Sequence, residues 1–455
     1  MKRYEEYTTI DSRWANYIPA SWTFSKIAEV FIERKETNDP IKTTDILSLT
    51  NTRGVIPYRE KGNIGNKAKE DLTGYRLAYP EDIVFNSMNA VIGSVGLSKY
   101  FGAVSPVYYM LYLRDTAKNN IHFFDYVFQD RVFQSGLNGL GNGILEIRMR
   151  IPMSKLKYVG VPVPPRTEQD QIVRYFDWQV SKINLLIAAK RKEIALLKGH
   201  RTAKINQAVT TGIHCDTQLA YTGYNWLPYA PANWKPVPAK ALFRNITELR
   251  RLDDSMLAAT QKYGLIEQTE YMRLEGRRIV LANDNLDKWL HTEPNDFIIS
   301  LRSFQGGLEM CSKPGCVTWH YVVLRSQRNI YPDFYKWFFK SAAYIGALQK
   351  TSDFIRDGQD LRFSNFVKVG LFIIPMDEQR EIAEYLNREI PKYDVAISNL
   401  EKQIDQITEL RTRLISDVVT GQVDVRGIKV PDNEYINNEI TEEEFEEESE
   451  NNEEE

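Results

Sequence analysis

The strongest constraint on the fold of this chain is an internal repeat that spans most of its 455 residues. Landmarks of the first half return in the second half, in the same order, at an offset of about 210 residues. A chance match does not explain six landmarks in one register, so the chain is a tandem duplication. The landmark pairs are Trp14-x4-Pro19-Ala20-x-Trp22 with Trp226-x4-Pro231-Ala232-x-Trp234, Leu47-Ser-Leu-Thr50-Asn51-x-x-Gly54 with Leu257-Ala-Ala-Thr260-Gln261-x-x-Gly264, Pro80-Glu-Asp82 with Pro294-Asn-Asp296, Val104-Ser105-x-x-Tyr108 with Val317-Thr318-x-x-Tyr321, Pro165-x-x-Glu168-Gln169 with Pro375-x-x-Glu378-Gln379, and Arg201-Thr202 with Arg411-Thr412.

Each half begins with a globular segment, at 18–164 and 230–374. Both segments contain short apolar or alternating runs that glycine and proline interrupt, a pattern that predicts an α+β domain. The clearest examples are the strand-like runs Tyr108–Leu113 and Tyr321–Leu324 and the aromatic-rich, helical stretches 121–134 and 331–345.

Each half ends with a long predicted helix. The first runs from Thr167 to Val209, with Thr167 as its N-cap, and the second runs from Asp377 to Val419, with Asp377 as its N-cap. A proline precedes each helix and a glycine follows each, which is the usual punctuation of helix ends. At ~1.5 Å per residue, a helix of about 43 residues is about 65 Å long.

The two helices carry one apolar heptad seam in the same register. An isolated helix cannot bury such a stripe, so we expect the two helices to pack on each other as an antiparallel coiled coil. The alternative, in which each helix lies on its own domain, is disfavoured because a domain of about 150 residues is shorter than the helix. The seam consists of Val180, Ile187, Ile194 and Arg201 with Ile183, Lys190 and Leu197, matched by Ile390, Ile397, Ile404 and Arg411 with Tyr393, Leu400 and Ile407.

This order of globule, helix, globule and helix predicts a pseudo-twofold molecule with two heads at opposite ends of a stiff bar. Such a molecule suits a DNA target made of two half-sites, which lie ~34 Å or a multiple apart on one face of the duplex. The bar would act as a ruler, because four added residues lengthen a helix by ~6 Å.

The charge distribution supports a polyanionic partner. The whole chain has 58 basic and 61 acidic residues, but residues 431–455 contain twelve Glu, one Asp and no basic residue. The body, 1–430, therefore has 58 basic and 48 acidic residues, a surplus of ten positive charges. Solubility alone is the alternative explanation of this surplus. The tail is predicted to be disordered, and it is either inert or a DNA mimic that competes for the heads.

The sequence contains neither a membrane-spanning apolar run nor an N-terminal signal peptide, so we expect a cytoplasmic location and no membrane partner. Three cysteines are too few and too scattered for a disulfide framework. Cys311, Cys316 and His320 fall short of the four ligands of a structural zinc site, so we expect incidental thiols and no metal site.

These motifs resemble the DNA specificity (S) subunit of type I restriction–modification systems, over about residues 10–425. The most specific parts are the Pro-x-x-Glu-Gln helix starts, the Arg-Thr pairs, and the Thr-Gly helix ends at Thr211-Gly212 and Thr420-Gly421. The acidic tail departs from the family pattern. The resemblance divides the chain into an N-terminal target recognition domain (1–165), a central conserved helix (166–213), a C-terminal target recognition domain (214–374), a C-terminal conserved helix (375–425) and the tail (426–455).

The resemblance also implies partners and a division of labour. Double-stranded DNA is the ligand, two modification subunits use S-adenosylmethionine, and restriction subunits use ATP and Mg. This chain is then no enzyme and holds no cofactor of its own. The sequence agrees, because it contains no phosphate-binding Gly-x-x-x-x-Gly-Lys-[Ser/Thr] loop and no Asn/Asp-Pro-Pro-Tyr/Phe run of the amino-methyltransferase type. The glycine-rich run from Gly139 to Gly143 precedes a strand-like segment and is interpreted as a turn.

Candidate DNA contacts lie at equivalent places in the two halves. Arg and Lys recognise guanine, Asn and Gln recognise adenine, and cations and small polar groups bind phosphates. The alternative for any single position is an ordinary polar side chain that faces solvent and contacts no DNA. The candidates of the first head are Asn51, Arg53, Tyr58, Arg59, Lys61, Lys67, Lys69, Asn86, Ser87 and Asn89. Those of the second head are Gln261, Lys262, Tyr263, Arg273, Arg277, Arg278, Arg302, Ser303 and Gln305.

Two other functions remain open from the sequence. One is a coiled-coil scaffold that recruits proteins and binds no DNA. The other is an enzyme that works alone, which the absent catalytic motifs disfavour.

Overall fold

The computed structural model describes residues 2–50, 53–61, 67–141, 150–276, 285–300, 303–351 and 362–431. The chain divides into two compact units. The first unit comprises Met1–Arg191 and Lys402–Glu455, and the second comprises Lys192–Glu401. Each unit therefore combines one globular segment with a part of both long helices.

The globular segment of the first unit consists of short strands and short helices that precede the first long helix. The strands are β1 (Tyr7–Thr9), β2 (Tyr17–Pro19), β3 (Thr23–Lys26), β4 (Phe31–Arg34), β5 (Leu47–Thr50), β6 (Gly54–Pro57), β7 (Arg76–Ala78), β8 (Ile83–Asn86), β9 (Val95–Leu97), β10 (Gly102–Val104), β11 (Tyr108–Leu113) and β12 (Gly160–Val163). The helices are α1 (Ile27–Val30), α2 (Ile121–Gln129), α3 (Arg131–Gly136), α4 (Met153–Leu156) and the long α5 (Arg166–Thr211), with 3₁₀ turns at Tyr58–Lys61 and Ala90–Ile92.

The second half repeats this succession. Its strands are β13 (Leu219–Tyr224), β14 (Leu227–Pro231), β15 (Lys235–Val237), β16 (Phe243–Ile246), β17 (Leu257–Thr260), β18 (Gly264–Glu267), β19 (Leu290–Thr292), β20 (Phe297–Ile299), β21 (Glu309–Met310), β22 (Gly315–Val317), β23 (Val322–Ser326) and β24 (Leu371–Ile373). Its helices are α6 (Gln268–Glu275), α7 (Ser303–Gly306), α8 (Pro332–Phe339), α9 (Ala342–Gln349), α10 (Phe363–Phe366) and the long α11 (Met376–Val419), with 3₁₀ turns at Ala239–Ala241 and Leu286–Lys288.

The described strands pair in the same order in both units. An antiparallel four-stranded sheet has the order β4-β11-β8-β9 in the first unit and β16-β23-β20-β21 in the second. The two-stranded sheets correspond as well: β1-β2 with β13-β14, β3-β12 with β15-β24, β5-β6 with β17-β18, and β7-β10 with β19-β22. The repeat seen in the sequence is therefore also a repeat of strand topology.

Each four-stranded sheet is covered on both faces. In β8, Ile83 and Phe85 belong to the main core that contains α2, whereas Val84 belongs to a second cluster with Leu49 and Val55 of the β5–β6 hairpin. This alternation follows from the period of two along a strand. The result is a hairpin held on the sheet face opposite the helices.

Both aromatic-rich stretches are helical as predicted, but each is divided in two by a capping residue. The carboxylate of Asp130 accepts hydrogen bonds from the backbone N–H groups of Val132 and Phe133, which starts α3 directly after α2. The hydroxyl of Ser341 accepts one from Tyr344 and starts α9. Side-chain oxygens at such positions satisfy the free N–H groups of a helix start.

The long helices have 46 and 44 residues, close to their predicted length. Both begin one residue before the predicted cap. Thr167 and Asp377 therefore lie in the first turn, and the assignment of these two residues as N-caps was wrong. Gly212 and Gly421 follow the helix ends with φ of 80° and 70°, the left-handed conformation that glycine adopts without steric cost.

In the first unit, the N-terminal part of α5 packs against the C-terminal part of α11. Val180 of α5 lies in one buried cluster with Leu414, Ile415 and Val418 of α11. Further along α5, the ammonium of Lys190 donates to Oε1 of Gln403 at 2.6 Å. Partner numbers fall as α5 numbers rise, so these two segments run antiparallel.

The second unit contains the complementary parts of the same helices. Nε of Arg201 donates to Oδ1 of Asp394 at 2.8 Å, and His214 beyond the end of α5 contacts Glu381 at 3.2 Å. These contacts again give an antiparallel course. Seam residues such as Ile194 and Ile397 are buried, each with 8 % of its surface exposed.

The segment after α11 packs on the first unit. The backbone N–H of Asp424 donates to the carbonyl of Lys2, and the amide of Gln171 donates to the carbonyls of Val425 and Ile428. The apolar side chains of Ile428 and Val430 lie against the main core. The packed chain thus extends beyond the tail boundary predicted at residue 426, and the acidic residues from Asp432 onward lie outside the described part.

Among the described residues, no helix is long and apolar enough to cross a lipid bilayer. Cys311 and Cys316 are both buried. The thiol of Cys311 donates to the carbonyl of Lys313 at 2.8 Å, and burial raises the pKa of Cys316 to about 11. Both side chains act as small core residues.

Candidate nucleic-acid interface

The first candidate loop is the connection of the β5–β6 hairpin. Thr50 and Gly54 are the last paired residues of the hairpin, and Gly54 has φ of 65°. The hydroxyl of Thr50 accepts a hydrogen bond from the N–H of Arg53 at 2.9 Å and donates one to the carbonyl of Gly54 at 3.3 Å. One threonine thus closes the connection, because it satisfies backbone groups on the opposite side of the turn.

The β17–β18 hairpin of the second unit has the same construction. Thr260 pairs with Gly264, whose φ is 70°. The hydroxyl of Thr260 accepts from the N–H of Tyr263 at 3.0 Å and donates to the carbonyl of Gly264 at 2.9 Å. The repeated Thr-x-x-x-Gly motif is therefore a hairpin-closing device, and the residues between Thr and Gly are free to differ.

The last residue of each hairpin connection, directly before the closing glycine, is bonded to a nearby acidic residue. Arg53 donates to the carbonyl of Glu60 at 3.4 Å and lies 3.7 Å from its carboxylate. The hydroxyl of Tyr263 donates to Oε1 of Glu275 at 3.0 Å. These contacts hold the C-terminal side of each connection.

Exposed cations follow the first hairpin. Arg59, Lys67 and Lys69 are exposed, and Lys61 lies over the ring of Tyr58 at 5.2 Å from its centroid. The hydroxyl of Tyr58 accepts from the N–H of Ala68 at 3.0 Å, which draws the segment after residue 66 back to the 3₁₀ turn. A cationic surface of this kind suits a phosphate backbone.

In the second unit, Arg273 is exposed on α6, 3.9 Å from the carboxylate of Glu270. Gln305 of α7 is also exposed. Both side chains are accessible to a ligand. Asn51, Gln261, Lys262, Arg277, Arg278 and Arg302 lie outside the described residues, and their DNA contacts remain predictions.

Three further candidates, at the end of β8 and at the start of α7, are buried. The hydroxyl of Ser87 is fully buried and donates to the carbonyl of Val107 at 2.7 Å. Asn86 accepts from the N–H of Met88 at 3.0 Å, and the hydroxyl of Ser303 accepts from the N–H of Ser300 at 2.8 Å. These side chains stabilise their turns, so we leave them out of the proposed contact set. Asn89 is partly exposed and stays in it.

The Pro-x-x-Glu-Gln motif joins each long helix to its globular segment. Oε1 of Gln169 accepts from the N–H of Asn120 at 2.7 Å, and Oε1 of Gln379 accepts from the N–H of Tyr331 at 2.8 Å. The glutamine amide also donates to the backbone carbonyl five residues earlier, at 2.8 Å in both motifs. The motif is thus a structural junction, and it fixes the equivalence of Asn120 with Tyr331.

Comparison with known proteins points in one direction. Residues 19–196 match the model of the type I restriction modification DNA specificity domain. A putative type I restriction enzyme MjaX specificity subunit from Methanocaldococcus jannaschii is 20% identical over 446 residues, which cover 90% of this chain and 95% of that protein. The chain is thus similar to type I restriction–modification specificity subunits, through the family model in its N-terminal half and through this relative over most of its length.

The fold of the chain is also similar to that of a solved structure. A structure described as the basis of complex assembly and conformational transition of the type I R-M system has a TM-score of 0.63 at 12% identity, covering 89% of this chain and 99% of that one. A crystal structure of the HsdS subunit from Thermoanaerobacter tengcongensis has a TM-score of 0.47 at 12% identity, covering 89% and 98%.

The residues that hold the edge strand next to each hairpin were not identified from the sequence. In the second unit, Glu309 is buried, and Lys340 lies 2.8 Å from its carboxylate. Burial raises the pKa of Glu309 more than the ammonium of Lys340 lowers it. In the first unit, the carboxylate of Asp125 accepts from the N–H of Leu97 at 3.1 Å. The signal available was the repeat alignment, which brings these positions into register.

The described residues around the hairpins carry polar and cationic side chains. Within those ranges, no group of three or more His, Cys, Asp or Glu side chains is arranged to hold a metal ion. The hairpins present closed connections flanked by cations. Cations and small polar groups are the kinds of side chain that bind a phosphate backbone.

Proposed function

We infer that this chain is the DNA-recognition subunit of a type I restriction–modification complex, and that each unit recognises one half of a split, asymmetric target. The observation that carries this proposal is the pair of hairpins. Both are closed by Thr and Gly in the same way, while the sequence between these residues is Asn-Thr-Arg in one and Gln-Lys-Tyr in the other. One scaffold with two different tips is what two different half-sites require.

The proposed contact set separates base recognition from phosphate binding. Asn51, Gln261 and Lys262 have the side chains that suit adenine and guanine edges in the major groove. Exposed cations beside the hairpins suit phosphates. The remaining members of the set are Arg53, Tyr58, Arg59, Lys61, Lys67, Lys69, Asn89, Tyr263, Arg273, Arg277, Arg278, Arg302 and Gln305.

The long helices would set the distance between the half-sites. We propose that they form one antiparallel coiled coil and relate the two heads by a pseudo-twofold axis. The antiparallel contacts within each unit and the buried seam residues support this arrangement. Half-sites on one face of B-DNA are spaced by ~34 Å or a multiple.

The chemistry of modification and cleavage would belong to partners. We propose that two modification subunits methylate adenine with S-adenosylmethionine and that restriction subunits use ATP and Mg. Type I assembly is named in the description of the structural neighbour, and restriction-enzyme specificity in the name of the sequence relative. In this scheme the chain itself contributes no catalytic group.

The decisive experiment maps methylated bases across the host genome with and without this gene. Loss of one split asymmetric motif on deletion is expected, and the parent gene should restore it. A gene with Thr50→Val should restore only part of that specificity. This result would show that the methylated motif depends on the protein and not on another effect of the deletion. An unchanged methylation pattern would overturn the proposal and favour a scaffold without DNA recognition.

A further inference from the structure

The two hairpins rest on different supports, although their own construction is the same. The closing glycine of each hairpin lies over the edge strand of the four-stranded sheet, β9 in the first unit and β21 in the second. The strand pairing makes Gly96 and Glu309 equivalent, because Val84 pairs with Gly96 and Ile298 pairs with Glu309. At this one position a glycine is replaced by a buried carboxylate.

The first hairpin lies directly on backbone. A Cβ atom built on Gly96 would stand 3.2 Å from Cα of Gly54 and 3.7 Å from the backbone N of Val55. Both distances are shorter than or close to ordinary van der Waals contact. A side chain at position 96 would therefore push the hairpin away from the sheet.

The second hairpin lies on a charged pair. A Cβ atom built on Gly264 would stand 3.4 Å from Oε2 of Glu309. That carboxylate is 7 % exposed and lies 2.8 Å from Nζ of Lys340, at the end of α8, and Lys336 of the same helix attracts it as well. The hairpin-closing glycine thus lies beside one member of an ion pair that ties the edge strand to the helix layer.

The helix positions below the two supports have also changed charge. The equivalence of Asn120 with Tyr331 makes Asp125 equivalent to Lys336 and Gln129 equivalent to Lys340. In the first unit, Gln129 donates to Asp125 at 2.7 Å, and Asp125 accepts from the backbone of β9. In the first unit, the helix residue Asp125 therefore holds β9 through a backbone N–H. In the second unit, the helix residues Lys336 and Lys340 attract the carboxylate of Glu309 on β21.

We propose that Glu309 and Lys340, the support pair, are positioning residues that set how the second hairpin presents its tip, and thereby determine the base preference of the second unit. This inference rests on the proposed function. A recognition side chain must be held within about 0.5 Å of its productive place, and the support pair lies directly under the residue that closes the tip. Removal of the Glu309 charge leaves the ammonium of Lys340, whose side chain is 27 % exposed, without its partner, and we expect the local structure to change.

The test uses the chain purified with the modification subunits of its host and a duplex library with randomised half-sites. The parent should select one split motif. Glu309→Gln should relax discrimination roughly ten-fold at one or more bases of the half-site assigned to the second unit, the size of one mismatched base pair, and leave the other half-site unchanged. The reversed pair, Glu309→Lys with Lys340→Glu, should restore the parental preference.

Glu384→Gln is the matched control, since it makes the same chemical change at an exposed position of α11 in the same unit. It should keep the parental motif. If Glu309→Gln selects the parental motif, even with a lowered Tm, the support pair contributes only to stability. That result would overturn the inference.

Two further outcomes have defined meanings. If Glu309→Gln shows no cooperative unfolding, Glu309→Asp is used, because it keeps the charge and withdraws the carboxylate by one methylene. If Glu309→Asp selects the parental motif, the inference is also overturned. If the parent complex selects no motif, the proposed function itself fails and the inference falls with it. If the parent complex selects its motif and the Glu309 variants select the same motif, only the inference is rejected.

Discussion

The indole Nε1 of Trp22 donates a hydrogen bond to Oε1 of Glu168 at 3.0 Å, and this contact joins the start of the globular segment to the first turn of α5. Trp234 makes the same bond to Glu378 at 2.9 Å in the second unit. In the first unit, the same oxygen of Glu168 also accepts from the hydroxyl of Tyr4 at 2.5 Å. Two landmarks that lie about 145 residues apart in sequence are thus two halves of one junction.

We expect Glu168→Ala to destabilise the first unit by about 2–4 kcal/mol. The substitution leaves two buried donors, the indole of Trp22 and the hydroxyl of Tyr4, without an acceptor, at about 1–3 kcal/mol for each such group. Urea denaturation followed by tryptophan fluorescence measures the change. The control is Glu384→Gln, an exposed position on α11 where the effect should stay within about 0.5 kcal/mol. A Glu168→Ala protein as stable as this control would contradict the junction.

We expect Thr260→Val and Thr50→Val to impair opposite halves of the target. Valine has the shape of threonine but lacks the hydroxyl that accepts from Tyr263 and donates to Gly264 in the second hairpin. The loss of stability should be only about 1 kcal/mol, since the turn is accessible to water. Discrimination should weaken at one half-site for each variant, measured by selection from a randomised duplex library. Weakening at the same half-site by both variants would argue against one hairpin for each half-site.

The sequence sufficed to predict the elements that depend on pattern over many residues. The heptad seam and the Pro and Gly punctuation located both long helices to within a residue or two at either end. The strand Tyr108–Leu113 was also predicted with its observed bounds. In these segments many side chains contribute to one periodic signal, so a single exception does not change the assignment.

Individual polar contacts were not predictable in the same way. A serine beside a strand end or at a helix start has the same local sequence whether it faces solvent or bonds to the backbone. Ser87 and Ser303 do the latter. Which residue lies under a hairpin depends on the register of strands far apart in sequence. The repeat landmarks bring Gly96 and Glu309 into the same region, but the strand register is what fixes their equivalence, because the sequence around them has diverged.

We expect the second unit to lose stability as pH rises above the ordinary imidazole value of 6.5, with no matching loss in the first unit. His291 is 1 % exposed, with Nδ1 2.9 Å from Asp254 and Nε2 2.8 Å from Glu293. Burial lowers the pKa of His291, but the hydrogen bonds to Glu293 and Asp254 outweigh burial and the nearby charge of Arg251, so the pKa is raised. A group with a raised pKa contributes its stability fully below 6.5 and loses it as pH rises through the raised value.

Hydrogen exchange of β19 at a series of pH values measures this effect. The first unit has Leu77 at the equivalent position of β7, so exchange of β7 serves as an internal reference. His291→Gln should flatten the pH dependence of β19, whereas His200→Gln, at an exposed position of α5, should leave it unchanged. Equal slopes in β7 and β19 of the parent would contradict a role for the charged imidazole.

We expect Arg59→Ala to weaken DNA binding by a similar factor on all sequences and to reduce the dependence of log affinity on log salt by about one. Arg59 is exposed in the 3₁₀ turn after the first hairpin, beside the cations Lys67 and Lys69, where a phosphate contact is the simplest role. Titration of a labelled duplex at several salt concentrations gives the slope. Lys198→Ala, at an exposed position of α5, removes the same charge from the helix and should leave the slope unchanged. If Arg59→Ala instead weakens binding to one sequence and not to others, Arg59 contacts a base. It would then belong to the base-recognising residues and not to the phosphate-binding ones.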